Sequence, residues 1–185
     1  RIKYGDTVAK QETPMTVEQV VAQPMRRSAW GRYALEQAKQ IMGAEWERGL
    51  VTFARNTQAP AEQRIAALEA LQAHGPAPSL SLLKKLVKDE NADVRAFAVY
   101  LLGLHSLKSV KKPLTAALDD TDALVQRRTI ESLVRAGWDT NVKVNANDAV
   151  VAKLIALLNS EDLYVRSSAR VALEQQNTKL FLQRS

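Results

Sequence analysis

The side chains that could do chemistry in this 185-residue chain are few. There is no cysteine, which removes disulfide scaffolds, zinc ribbons, thiol nucleophiles and covalently attached c-type haem from the segment. The two histidines, His74 and His105, have no companion at a metal-ligand spacing and read as turn residues that follow helices. No G-x-S-x-G, H-E-x-x-H, P-loop or dinucleotide glycine fingerprint occurs. Asp119, Asp120 and Asp122 are clustered, but they lack the alternating ligands and the distal glutamate of a calcium loop and read as a turn between helices. The expectation is therefore no catalytic residue, no metal and no cofactor.

What remains is cationic. Twenty-six Lys and Arg against twenty Asp and Glu leave a net charge of +6, an excess that can favour nucleic acid, anionic lipid or acidic proteins. The signs are interleaved, however: Lys84, Lys85 and Lys88 are followed at once by Asp89, Glu90 and Asp93, so the long-range field partly cancels and a solvated face is the simpler reading. Two lysine groups, Lys84, Lys85 and Lys88 and then Lys108, Lys111 and Lys112, fall in the first helices of adjacent helix pairs. Stacking would join them in a basic stripe on the outer side, suited to an acidic protein surface or a phosphate backbone, with plain solubility as the competing role. Arg127 and Arg128, with Arg135 and Arg170, have no assigned partner and would face solvent or a ligand from the second helices. Trp138 either anchors a partner, as tryptophan often does, or folds back over a seam between helix pairs.

The elements that hold these residues show in a repeat. Residues 84–102 (KKLVKDENADVRAFAVYLL), 115–133 (TAALDDTDALVQRRTIESL) and 155–173 (IALLNSEDLYVRSSARVAL) align without gaps. Val94, Val125 and Val165 coincide, as do Val87, Leu118 and Leu158, the small residues Ala98, Thr129 and Ala169, and Leu102, Leu133 and Leu173. A looser copy runs from Glu45 to His74, in which Gln63, Arg64, Ala67 and Leu71 fit the second half. Within a copy, Leu82, Leu83, Leu86 and Val87 and then Val94, Phe97, Ala98, Leu101 and Leu102 recur at helical spacings, with Asn91 and Asp93 placed to cap the second helix. Pro113 is expected near the start of its helix, where a missing N–H costs little.

The flanks follow the same logic. Thr16 to Gln23, closed by Pro24, predicts a short helix. Trp30, Tyr33, Ala34, Leu35, Ala38 and Ile41 would line one broad helical face ending at Gly43. Gly137 to Asn147 is rich in turn formers and predicts an inserted loop, and Arg1 to Tyr4 is the one segment with strand-like alternation. The resulting division is 1–14 as a linker or remnant of an upstream domain, 15–44 as an N-terminal helical cap, 45–176 as repeats (45–75, 76–107, 108–144, 145–176) and 177–185 as a tail. Length alone predicts one domain, and no apolar run approaches the ~20 residues of a membrane span.

The repeated unit resembles a HEAT repeat, in particular the short bacterial variety of bilin-lyase-type proteins, whose second helix opens with a Val-Arg step followed by small residues. Here that step is Val94-Arg95 and Val165-Arg166, with Gln126 in place of Arg in the third copy and Gln63-Arg64 in the first. Such units also place an Asp six residues before the Arg: Asp89 precedes Arg95, Asp120 precedes Gln126, and Ser160 precedes Arg166. The recurring Arg64, Arg95 and Arg166 could form an anion-binding row, but a structural ladder, in which Asp89 and its counterparts accept from the arginines and from backbone, is the favoured role.

The resemblance implies an all-α, right-handed solenoid (an α-α superhelix) of helix pairs, acting as a non-catalytic monomeric scaffold for another protein or for a neighbouring domain of its own chain. The chain starts at Arg1 without an initiating Met and reads as part of something longer. The RIKYG opening followed by a Trp-Arg-Tyr helix and then repeats resembles large bacterial extracytoplasmic proteins, in which a sugar-dehydrogenase-like β-propeller precedes the HEAT segment and a cytochrome c domain follows. That resemblance implies the periplasm in preference to the cytoplasm. Some HEAT-like solenoids are instead glycosylases of alkylated DNA bases, with a basic groove, tryptophans and one carboxylate. Here Trp30 and Trp46 lie in or beside the cap and no Asp is placed on the required helix face, so nucleic acid is the less favoured partner. A bilin-lyase role lacks a recognisable tetrapyrrole-binding set.

Overall fold

Every regular element among the described residues of this computed structural model is an α-helix. The structure describes residues 13–138 and 148–182, with side chains through residue 175. The strand expected at 1–4, most of the loop expected at 137–147 and the side chains of the 177–185 tail lie outside the described residues. The chain forms two compact units, Arg1–Ala77 and Pro78–Ser185. Repeat architectures bury apolar surface between near neighbours and need no single shared core.

The first unit holds α1 (Val17–Ala22), α2 (Ala29–Met42), α3 (Ala44–Arg55) and α4 (Ala61–His74). Thr16 and Gln19 form a reciprocal capping box at the start of α1, which packs Val20 and Val21 against α3 and α4. Ser28 caps α2 through the Gly31 N–H. Gly43, at φ 54°, ends α2 and starts α3 with no linker, a backbone conformation that disfavours a side chain. The apolar face of α2 is narrower than its sequence implies. Ala34, Leu35 and Ala38 are buried, whereas Trp30, Tyr33 and Ile41 are exposed.

α4 is the centre of this unit and buries Ala66, Ala67, Leu68, Ala70 and Leu71. Arg64, only 2% exposed, donates from Nε to the Ala54 carbonyl at 3.0 Å, satisfying one of the orphan acceptors at the end of α3. The other end of α4 is held by three side chains. Trp46 Nε1 donates to the Gly75 carbonyl at 2.9 Å, Lys39 donates to the His74 carbonyl, and Glu36 meets His74 Nδ1 at 3.1 Å.

The second unit holds three helix pairs: α5 (Leu80–Leu86) with α6 (Ala92–Leu102), α7 (Leu107–Ala117) with α8 (Ala123–Arg135), and α9 (Ala149–Leu157) with α10 (Leu163–Leu182). Each first helix packs on its own second helix, and α6, α8 and α10 pack extensively in a row. The columns of the alignment are the core: Val94, Val125 and Val165 are fully buried, as are Ala98, Thr129 and Ala169 where the helices approach. Thr129 resolves its buried hydroxyl by donating to the Val125 carbonyl at 2.7 Å. A second column sets the turns. Asn91 and Asp122 each accept from two backbone N–H groups of the next turn, and Asp162 accepts from the Val165 N–H at 2.8 Å. Asp93, expected to share the capping, lies inside the first turn of α6.

Pro113 also departs from expectation and sits inside α7. Gly103, the residue after α6, marks the tightest approach between second helices: a Cβ there would lie 2.7 Å from Ser132 Cβ and 2.8 Å from its Cα. Gly103→Ala is therefore expected to push α6 and α8 apart and to cost about 2 kcal/mol, read as a lower midpoint in thermal melting.

Candidate interaction surfaces

The recurring arginines make backbone contacts at a fixed offset. Arg95 Nη1 donates to the carbonyls of Asp89 and Glu90 at 2.9 and 3.0 Å, and Arg166 Nη1 does the same to Ser160 and Glu161 at 2.6 and 2.9 Å. Gln126 donates to the Asp120 carbonyl at 2.7 Å. What the unit requires six residues upstream is a carbonyl, so Ser160 serves as well as an aspartate.

Asp89 accepts from both: its carbonyl from Arg95 and its carboxylate from the Asn91 N–H at 3.1 Å. Arg95 also forks onto Asp120 of the next pair, Nε and Nη2 each at 2.8 Å. The Arg95–Asp120 fork joins adjacent repeats, and Gln126 and Ser160, at the next corresponding positions, carry no charge with which to form another. Partial burial would raise the Asp120 carboxyl pKa, but hydrogen bonds from Arg95 and from the Asp122 and Thr121 N–H groups, with the Arg95 charge, hold it below the ordinary aspartate value. The Asp120 hydrogen bond is the largest influence on Arg95, whose pKa is raised against the opposing effect of burial.

Trp138 is 4% exposed, so the exposed-anchor reading is corrected in favour of the folded-back one. The cause is local. The Gly137 N–H donates to Val134 and the Trp138 N–H to Leu133, the paired bonds of a Schellman ending, with Gly137 at φ 90°. That geometry turns the chain back at the end of α8 and carries the indole into the core.

The arginines of the second helices are not free either. Arg128 and Arg127 share Glu131, at 3.0 and 3.8 Å, and Arg170 lies 3.8 Å from Glu174. Arg135 stacks over Tyr100 at 4.7 Å from the ring centroid, Tyr100 stacks on Phe97 at 5.8 Å, and Arg127 lies over Tyr164 at 5.8 Å. These contacts run from α6 across α8 to α10. Tyr164 is 65% exposed, and Val134 of α8 and Val171 of α10 are exposed as well. Among the described residues the buried Nε of Arg127 has no hydrogen-bond acceptor. Sequence reading identified the arginines but not their aromatic partners, because Tyr100 and Tyr164 occupy different columns of the repeat.

The six lysines stand on or just beyond the first helices. Lys84 and Lys85 lie exposed in the last turn of α5, with Lys88 in the turn beyond it. Lys108, Lys111 and Lys112 line a groove of about 560 Å³ together with Lys153 of α9. Two ion pairs cross between α7 and α9: Lys111 Nζ meets Asp148 at 2.9 Å, and Lys153 meets Asp119. Burial would raise the pKa of the Asp148 carboxyl, but the Lys111 hydrogen bond and charge and the Val150 N–H hold it below the ordinary value. Lys153 is the lone cation of an otherwise apolar helix, AVVAKLIAL, which is the sequence signal that marks it.

Among the described residues no group of three or more His, Asp or Glu side chains is placed to hold a metal, and no helix is long and apolar enough to cross a membrane. A comparison with curated proteins finds no match. The family model described as HEAT repeats matches residues 47–134 and 79–174. Together these matches span well over half of the sequence, and the chain belongs to the HEAT-repeat family.

Proposed function

We propose that this chain is a non-catalytic interaction scaffold that docks another protein, or a neighbouring domain of its own polypeptide, on the second-helix face of residues 78–185. The observation that carries the reading is the set of stacked arginines and tyrosines across α6, α8 and α10, on helices that also expose Val134 and Val171. Aromatic and arginine side chains dominate binding hot spots, and here both are held in place before a partner arrives, which lowers the ordering cost of association. HEAT repeats as a family serve mainly as such scaffolds, which supports the reading.

A photo-crosslinking residue substituted at Val171 tests it in cells of the source organism. The expected result is a discrete protein adduct, lost when Arg135→Ala and Tyr164→Ala are combined and absent from a control position at Lys84. Failure to form an adduct at Val171, or equal adducts from Lys84, would overturn the assignment. Adducts with nucleic acid would favour the DNA-binding alternative. The parent arrangement, with a β-propeller upstream and a C-x-x-C-H haem motif downstream, is a further proposal that the surrounding reading frame decides.

A further inference from the structure

The first helices of residues 78–185 carry a separate feature, independent of the second-helix face. α7 and α9 are bridged by their two ion pairs, and the groove beside those bridges has four lysines on its walls. Lys111 and Lys153 are neutralised by Asp148 and Asp119. Lys108 and Lys112 are exposed and make no ion pair or hydrogen bond among the described residues. They stand four residues apart on one face of α7, where like charges repel and an anion would relieve the repulsion. Beyond Lys112 along α7 the lining is small, with Thr115 and Ala116.

We propose that this groove docks an extended acidic segment of a partner protein, with carboxylates on alternate residues pairing with Lys108 and Lys112. The spacing fits. Residues i and i+4 of a helix are offset by about 6 Å along the axis, and alternate side chains of an extended chain are about 6.6 Å apart. The intervening side chains point to the opposite side of the extended segment, away from α7. The fixed Lys111–Asp148 and Lys153–Asp119 pairs keep the walls in place and leave two positive charges uncompensated. A nucleic-acid strand fits less well, because the lining contains neither an aromatic stacking platform nor an arginine.

The test uses the full chain and a short fluorescent peptide of alternating Glu and Ala, with a Lys/Ala peptide and a single-stranded oligothymidylate as comparisons, read by anisotropy at low and physiological ionic strength. The expected result is saturable binding of the Glu/Ala peptide that weakens about tenfold or more in the Lys108→Glu, Lys112→Glu double variant. The Lys84→Glu, Lys85→Glu variant, with the same change of net charge away from the groove, is expected to stay within about twofold of the parent, since exposed charges act locally at physiological salt. Lys108→Gln with Lys112→Gln gives the same reading with a smaller charge change if the reversal impairs folding. Equal weakening in both double variants would reduce the effect to net charge and overturn the proposal. Absence of peptide binding, or tighter binding of the oligothymidylate, would overturn it as well.

Discussion

Replacing Trp46 with alanine is expected to destabilise the Arg1–Ala77 unit by about 4 kcal/mol, the upper range for removing a large buried aromatic side chain. Trp46 is 1% exposed on α3, and its ring meets His74 edge to face at 6.1 Å between centroids. Its indole N–H also satisfies the Gly75 carbonyl just beyond α4, so the residue joins a packing role to a helix-terminating one. Trp46→Phe separates the two. Phenylalanine keeps most of the apolar contact but leaves that carbonyl without its donor, at an expected cost of about 1–2 kcal/mol. Urea unfolding followed by far-ultraviolet circular dichroism measures both. A phenylalanine variant as stable as the parent would show that the hydrogen bond contributes nothing, and an alanine variant within about 1 kcal/mol of the parent would show that the site collapses around the loss.

The same residue shows where sequence reading stopped. The repeat was legible because its core columns alternate with turns at a fixed spacing, so Val94, Val125 and Val165 could be aligned by type alone, and all three are fully buried. The first helix pair was less legible. Trp46 has no counterpart in the later copies, and its contact with His74 joins α3 to the end of α4 across 28 positions of sequence, which no periodicity reports. Trp138 was ambiguous for a different reason: its burial follows from the positive φ of Gly137 and two backbone hydrogen bonds. A Gly followed by a bulky apolar residue at a helix end is the signal that could have decided it.

The candidate surfaces divide along the same line. Lysines at 108, 111 and 112 announce a charged helix face, but the register that sets Lys153 across from them depends on how α7 and α9 are held by their second helices. The stacked arginines of α8 likewise depend on tyrosines supplied from either side. Residue type thus identified the cations. Which of them remained uncompensated, Lys108 and Lys112 rather than Arg127 and Arg128, emerged only from packing.

Breaking the rung between helix pairs is expected to have the second large effect. Arg95 and Asp120 are 15% and 11% exposed, so removing either one leaves a largely buried charge unpaired. Arg95→Ala also deprives the Asp89 and Glu90 carbonyls of their donor, and an overall cost of about 3 kcal/mol is expected. Asp120→Asn should cost less, about 2 kcal/mol, since the amide retains the shape and one acceptor. The two variants also differ from the parent in their pH dependence. Asp120 has a folded-state pKa below its ordinary value, so the unfolded chain binds the proton more tightly. Its contribution is complete above the unfolded aspartate value and is lost as pH falls through the lower folded value. The stability gap between the parent and Asp120→Asn should therefore be constant near neutrality and narrow below about pH 4. Denaturant titrations of both proteins across that range measure it. A gap that stays constant into the acid range would assign the loss to packing and remove the ion pair as its cause.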